Sequence, residues 1–122
     1  MDNLGDVRDV RPLDIWEGVT ARPIEGERMT LAFVELAPNA VVPEHRHPNE
    51  QLGLMLQGSG TFRVGDETRQ VRAGSTWRIL SNVPHELAVG PDGAVVIDVF
   101  SPVRSDWSRF EPAEPRDPDW RA

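Results

Sequence analysis

All three histidines of the chain lie where they could act together on a metal ion. His45 and His47 are separated by one residue at the end of an extended stretch that begins at Val41, so both imidazoles project from the same face of a strand. His85 follows a turn at Pro84, and in a closed barrel such distant strands can face each other across the interior. Three neutral imidazoles are a ligand set typical of a divalent transition metal.

A fourth ligand is expected from the residues just after this histidine pair. Gln51 has the same strand parity as His47 if extended structure resumes after Pro48, so its carbonyl oxygen would point to the same place. Glu50 has the opposite parity, and it would reach the site only if the backbone around Pro48 turned it inward. We therefore expect one zinc, nickel, iron, manganese or copper ion, held by His45, His47, Gln51 and His85.

The elements that must position these residues have the pattern of short β-strands. Alternation of apolar and polar residues predicts strands over 29–36, 41–47, 51–57, 61–64, 68–72, 75–80, 85–89 and 94–100. The turn residues Gly58-Ser59-Gly60 and Gly90-Pro91-Asp92-Gly93 are each expected to close a hairpin. No window keeps a helical period for more than two turns. The pattern predicts an all-β fold, an antiparallel jelly-roll β-barrel over residues 14–101.

The two ends of the chain differ from this middle part. Residues 1–13 are polar and acidic, which indicates an N-terminal arm or an edge strand. Residues 102–122 contain four prolines, too many for a central strand or a helix, so a Pro-rich tail is expected. Trp107, Phe110 and Trp120 are costly to leave in water, which favours docking of the tail on the barrel or on a partner over disorder.

The composition excludes several classes of function. The 122 residues include no Cys, which excludes thiolate metal sites, disulfide scaffolds and cysteine nucleophiles. All 13 basic residues are Arg, which excludes Schiff-base chemistry and a P-loop lysine. A net charge of −7 argues against nucleic acid, and no apolar run is long enough to cross a bilayer. We expect a single-domain cytoplasmic protein with a small-molecule partner and no nucleic acid or membrane partner.

The two histidine-bearing segments resemble the two motifs of the cupin superfamily. The first motif, G-x5-H-x-H-x3,4-E-x6-G, corresponds to His45, His47, Gln51 and Gly58, and the second, G-x5-P-x-G-x2-H-x3-N, to Gly74, Leu80, Asn82 and His85. Gln51 replaces the family's metal-binding Glu, which would leave the metal a stronger Lewis acid. Asn82 replaces a Gly and is expected to keep a positive φ there. The resemblance covers roughly residues 28–101 and implies a metal-binding jelly roll.

A narrower resemblance is to the small single-domain cupins that ketonise unsaturated uronates from pectin and alginate breakdown. It rests on the runs His47-Pro48-Asn49-Glu50-Gln51 and Asp98-Val99-Phe100-Ser101-Pro102-Val103-Arg104. The resemblance implies that Asp98, Phe100 and Arg104 lie beside the metal, Asp98 as a catalytic proton carrier and Arg104 as a clamp for a substrate carboxylate. The sequence agrees in part, because a carboxylate inside the apolar strand at Asp98 must be paired, metal-bound or shifted in pKa.

These three residues also have plainer alternative roles. Asp98 could form a salt bridge, with Arg78 as a partner, or turn toward solvent. Phe100 could fill the core instead of contacting substrate. Arg104 could be a surface or interface charge.

Two further positions and one leucine row complete the prediction. Trp77 and Met55 are expected on the interior side of their strands, in the substrate pocket, although Trp77 could instead simply fill the barrel. Leu52, Leu54 and Leu56 share the opposite face of their strand, which would need cover from a second sheet or from the partner in a homodimer.

These observations give one leading functional hypothesis and two rivals. The leading one is a metal-dependent isomerase- or lyase-type enzyme that acts on a small oxygenated substrate, such as an unsaturated uronate or another sugar acid. With iron or copper the same site could serve a dioxygenase, although its neutral ligands disfavour higher oxidation states. The second rival is a cupin that binds a small molecule without catalysis.

Overall fold

The computed structural model describes residues 2–118, which form eight β-strands and two 3₁₀ helices. The strands are β1 (Leu13–Trp16), β2 (Val19–Glu25), β3 (Thr30–Leu36), β4 (Val41–His45), β5 (Glu50–Val64), β6 (Glu67–Arg72), β7 (Thr76–Ile79) and β8 (His85–Ser101). The 3₁₀ helices span Val7–Asp9 and Ser105–Arg109. Trp120, an anchor candidate in the predicted tail, lies outside the described residues.

Two long strands, β5 and β8, organise the barrel. The second half of β8 pairs with β3 and with the first half of β5, whereas the first residues of β8 pair with β4 and with the end of β5. β2 and β1 extend the sheet beyond β3, and β6 and β7 pair with the two ends of β5. All of these pairs are antiparallel, and the predicted all-β jelly-roll barrel is confirmed.

Both predicted hairpins are wrong. Residues 58–60 and 90–93 lie inside the continuous strands β5 and β8, where the register jumps from Gly58 opposite Ala94 to Gly60 opposite Val89. The residues between Val89 and Ala94 therefore form a bulge in β8. Gly58 has a φ of +96°, and a Cβ on it would lie 2.1 Å from the carbonyl oxygen of Gly93. The glycines here bend two paired strands, a role that needs the same residue types as a hairpin turn.

The residues before position 29, for which the alternation predicts no separate strand, form β1 and β2. Leu13, Val19 and Ala21 point into the core, so the first strand begins one residue before the expected barrel boundary at position 14. Pro23 in β2 breaks the apolar alternation. It is tolerated because β1 begins at Leu13, opposite Ala21, which leaves the β1 side of β2 unpaired at Pro23.

The described part of the C-terminal segment, residues 102–118, lies along the barrel and the N-terminal residues. Trp107 in its 3₁₀ helix is only 6% exposed. The backbone N–H of Ala113 donates to the carbonyl oxygen of Pro12 at 2.9 Å. Arg11 donates to the carbonyl oxygens of Pro112 and Ala113 at 2.8 and 3.0 Å. Residues 11–12 and 112–113 are thus held side by side.

The outer face of β5 keeps its leucine row partly uncovered. Leu52, Leu54 and Leu56 are 51%, 38% and 39% exposed. Leu31 of β3 is also exposed, and both Leu31 and Leu52 pair with Val99 from opposite sides of β8. An apolar row therefore crosses three strands on the outside of the barrel. Within the described residues, no helix has the length and apolar character to cross a membrane.

Candidate metal centre

The three histidines converge at one end of the barrel. His45 ends β4 and His85 begins β8, and the two residues are direct partners across those strands. His47 lies two residues beyond β4, in the connection to β5. The candidate ligand atoms of all three imidazoles lie within 4.8 Å of one another, as one metal ion requires. We call His45, His47 and His85 the imidazole wall.

Backbone carbonyl groups orient each ring of the imidazole wall. Nδ1 of His45 lies 2.8 Å from the carbonyl oxygen of Pro43, Nδ1 of His47 lies 2.9 Å from that of Asn49, and Nδ1 of His85 lies 2.9 Å from that of Val83. Each carbonyl oxygen accepts a hydrogen bond from the Nδ1–H of its ring, which leaves the lone pair of Nε2 free to bind a metal. The turn before His85 depends on Asn82, whose φ is +63°, as predicted for that position.

Gln51 reaches the same point from β5. It is buried, and its Oε1 lies 3.1 Å from Nε2 of His47. Its side chain also hydrogen-bonds Asp98, whose carboxylate only accepts, so the Gln51 amide nitrogen faces Asp98 and the oxygen faces the imidazoles. Two acceptors, Oε1 and Nε2, then face each other, an arrangement that a bound cation stabilises. Glu50 is exposed, as its strand parity predicts, and does not join this group.

The protonation state of the imidazole wall also fits a metal ion. Burial lowers the pKa of His45 and His47, and that of His85 falls to about 4, because the charged form loses its hydration. The nearby Arg104 guanidinium lowers all three further. At neutral pH the rings are therefore uncharged, which is the form that binds metal. Nε2 of His85 is buried and has no hydrogen-bond partner among residues 2–118.

A buried carboxylate lies next to the imidazole wall. Asp98 is 7% exposed and accepts a hydrogen bond from Nε1 of Trp77 at 2.8 Å. Burial raises the pKa of Asp98 to about 6, although the hydrogen bonds from Gln51 and Trp77 and the charge of Arg104 act in the opposite direction. The alternative salt bridge to Arg78 does not form, because Trp77 points inward and Arg78 therefore points outward.

Arg104 is buried in the same region and is not a surface charge. Its guanidinium lies 4.6 Å from the ring centre of Phe100 and 4.5 Å from that of Trp107. Its Nε and Nη2 donate to Asp106 at 3.0 and 2.9 Å. Phe100 also contacts His47, with ring centres 5.6 Å apart. We call Asp98, Phe100, Arg104 and Trp107 the carboxylate wall.

One cavity joins the two walls. Its empty volume, including its opening to solvent, is about 630 Å³. The predicted site residues that line it are His45, Gln51, Trp77, His85, Asp98, Phe100 and Arg104. Met55 differs from the prediction, because it is 1% exposed in the apolar core and does not line the cavity. Met55 pairs with Val96 just before a register shift in β5, deeper in the barrel than Gln51.

Two residues that support the site are not among those predicted from the sequence. Asn49 is buried and donates from Nδ2 to the carbonyl oxygens of Pro102 and Val103 at 2.6 and 3.2 Å, which holds the C-terminal segment beside the cavity. Gly53 lies between Trp77 and Asp98 in the sheet, and a Cβ on it would lie 1.8 Å from Nε1 of Trp77. The absence of a side chain at Gly53 therefore leaves room for the hydrogen bond between Trp77 and Asp98.

The jelly roll and its three convergent histidines are typical of metal-binding β-barrel proteins, and comparison with known protein families gives the same class. A family model described as a cupin domain matches residues 32–100, more than half of the chain. The chain therefore belongs to the cupin family.

Two proteins named KdgF are similar to this chain over most of its length. The pectin degradation protein KdgF of Dickeya dadantii (strain 3937) is 25% identical over 96 residues, which cover 77% of this chain and 87% of that protein. The structure of KdgF from Halomonas sp. has a TM-score of 0.78 at 21% identity, covering 87% of this chain and 98% of that one. The predicted similarity to pectin-degradation cupins is thus confirmed as a similarity.

A second relative is named for a different activity. The dimethylsulfoniopropionate lyase DddW of Ruegeria pomeroyi (strain ATCC 700808 / DSM 15171 / DSS-3) is 29% identical over 85 residues, which cover 70% of this chain. The match spans only 54% of the DddW protein. Similarity within this family therefore identifies the barrel and its metal site more firmly than the reaction.

Proposed function

We propose that this cupin is a metal-dependent enzyme of the isomerase type, acting on a small oxygenated acid such as an unsaturated uronate or another sugar acid. The observation that carries the proposal is a buried carboxylate, Asp98, which lines one cavity with His45 and His85, while the ring of His47 lies beside theirs and Nδ1 of each ring faces a backbone carbonyl group. The similarity to the pectin degradation protein KdgF supports the choice of substrate class.

The proposed metal ligands are His45, His47, His85 and the carbonyl oxygen of Gln51. A divalent cation held there would supply Lewis-acid stabilisation of negative charge on a substrate oxygen. Without the usual Glu, the ligand set is neutral, which favours an anionic substrate. The same neutral set argues against the dioxygenase alternative.

The chain's own groups would carry out the proton transfer. Asp98 removes the proton from an enol hydroxyl of the substrate, and a proton is then added to the neighbouring unsaturated carbon. A carbonyl group forms, and the number of protons on the substrate is unchanged. Trp77 and Gln51 hold the Asp98 carboxylate in place. Arg104 orients the substrate carboxylate, and Phe100 and Trp107 keep water away from it.

The substitution Asp98→Asn tests this proposal. Metal content, measured by elemental analysis, should be unchanged, while the loss of enol absorbance with unsaturated uronates should slow by at least about 100-fold. Asp92→Asn is the matched control, because Asp92 lies exposed in the bulge of the same strand. Full turnover in Asp98→Asn would remove Asp98 from the reaction. A metal-loaded native protein without turnover on any unsaturated uronate or sugar acid would instead favour the non-catalytic binding alternative.

Two further expectations stay proposals. The apolar row on the outside of the barrel, with Leu52, Leu54 and Leu56, supports a homodimer in which a second copy covers this face. A cytoplasmic location, expected from the sequence, also stays a proposal.

A further inference from the structure

Buried side-chain nitrogen atoms without a partner mark places where a ligand is needed. Among the described residues these atoms are Nε and Nη1 of Arg22, Nε2 of His85 and Nε1 of Trp107. Arg22 does not line the cavity, and its guanidinium forms an ion pair with Glu35. His85 and Trp107 both line the cavity. A metal ion would account for the atom on His85, whereas no group within residues 2–118 accounts for the indole N–H of Trp107.

The indole of Trp107 is held in place on several sides. Its ring packs against Phe100 with ring centres 5.3 Å apart at an interplanar angle of 72°, and the Arg104 guanidinium lies over its face. The residue is 6% exposed. An indole N–H can only donate, so it needs an acceptor. Buried donors without acceptors are rare in folded proteins, because burial removes the water that would otherwise accept the bond.

The chemistry of the missing acceptor follows from Arg104. Two of its side-chain nitrogens bond Asp106, and its third, Nη1, makes no hydrogen bond within residues 2–118. Arg104 and Trp107, which are in contact and both line the cavity, thus each keep one side-chain nitrogen without an acceptor among residues 2–118. A positive group beside a neutral donor suits an acceptor that carries negative charge and has two oxygens.

We propose that Trp107 is a ligand-contacting residue whose indole N–H donates a hydrogen bond to a carboxylate of the bound molecule, beside Nη1 of Arg104. The C-terminal 3₁₀ helix, Ser105–Arg109, thereby selects acids over neutral compounds of the same shape. The inference deepens the proposed function, since it rests on the same cavity holding a small acid.

NMR spectroscopy on the zinc-loaded full-length chain tests the contact between Trp107 and the ligand directly. The indole N–H signal of Trp107, assigned through its contacts with Phe100, should shift on addition of D-glucuronate and stay in place with D-glucose at equal concentration. The two sugars differ only in a carboxylate against a hydroxymethyl group. An unmoved signal with D-glucuronate, or equal shifts with both sugars, would overturn the proposal.

Isothermal titration calorimetry on two variants gives the second measurement, their affinity for D-glucuronate. Trp107→Phe keeps an aromatic ring and removes the N–H, so D-glucuronate should bind about tenfold more weakly, as expected for a hydrogen bond to a charged group. Phe110→Leu is the control, because Phe110 packs at the end of the same 3₁₀ helix and does not line the cavity. Its affinity should stay within about twofold of the native value. Equal affinity of Trp107→Phe and the native chain contradicts the inference.

The outcome separates this inference from the proposed function. Selective binding of D-glucuronate through Trp107, without turnover of any unsaturated uronate, would support the contact and reject the enzyme. Turnover of unsaturated uronates with an unmoved Trp107 signal would reject the contact and keep the enzyme.

Discussion

The two walls of the cavity are built by different means. Each ring of the imidazole wall is oriented by a backbone carbonyl group only two residues away in sequence. The carboxylate wall depends on side chains far apart in sequence, because Trp77 holds Asp98 from another strand, and Asn49 holds the segment that carries Arg104 and Trp107. Local geometry thus orients each imidazole, although the barrel brings the three together, whereas the side chains of the carboxylate wall need long-range contacts for their orientation as well. The two walls should therefore fail in different ways when they are changed.

The largest effect is expected from removal of a metal ligand. His85→Ala should weaken metal binding by more than about 100-fold, the upper end of what loss of an outer hydrogen-bond partner costs. The chain should remain folded, because the backbone pairing of β8 does not need this imidazole. Elemental analysis after dialysis and circular dichroism measure the two quantities.

A substitution at Glu50 gives the control for that experiment and decides between the two candidate fourth ligands. Glu50→Ala should keep its metal, since Glu50 is exposed and Gln51 lies beside His47. Loss of metal from Glu50→Ala would mean that the connection before β5 rearranges to bring the carboxylate inward.

An intermediate effect is expected from a single methyl group at the carboxylate wall. In Gly53→Ala the new Cβ would lie 1.8 Å from Nε1 of Trp77 and 2.4 Å from Oδ1 of Asp98, so both groups must move. The free energy of unfolding should fall by about 2 kcal/mol, the usual cost of forcing an extra carbon into a packed interior. Denaturant unfolding measures this change. Metal content should stay unchanged, and its loss would show that the two walls are coupled.

The smallest effect is expected on the outside of the imidazole wall. Arg63 bonds both Glu44 and Glu86, the neighbours of His45 and His85, and so ties their strands together. Arg63→Gln should change metal affinity by less than about threefold, because partly exposed ion pairs contribute little. A tenfold loss in a competition assay with a chelator would show that this wall is not oriented by its local backbone alone.

The sequence predicts the imidazole wall better than the carboxylate wall for the same reason. The spacing of His45 and His47 and the parity of Gln51 are local facts, which strand geometry converts into a shared direction. Trp107 comes to the cavity, and Asn49 finds its hydrogen-bond acceptors, only when the C-terminal segment is held beside the cavity, and no local pattern encodes that path. Gly53 carries a signal as an isolated glycine inside a strand, but the signal does not say which group approaches it.

Prediction of the strands from local sequence also fails where β5 and β8 bend. The alternation predicts β3, β6 and β7 to within one or two residues. It misplaces the chain at Gly58 and Gly93, because a turn and a bulge use the same residues, and the two differ only in whether pairing continues on the far side. β5 and β8 are continuous because they pair with each other over most of their length, and this long-range pairing is not visible in any local stretch of sequence.

The position of β8 at the centre of the sheet also bears on how the chain reaches its native state. β8 pairs with β3, β4 and β5, all of which precede it by a considerable stretch of sequence. Pairings between such distant segments must close large loops before they gain stability, which slows folding relative to domains built from local contacts. His85 and Asp98 both lie on this strand, so neither wall of the cavity can form ahead of the barrel. During synthesis, the backbone groups of β3, β4 and β5 that pair with β8 therefore lack their hydrogen-bond partners until β8 has been made.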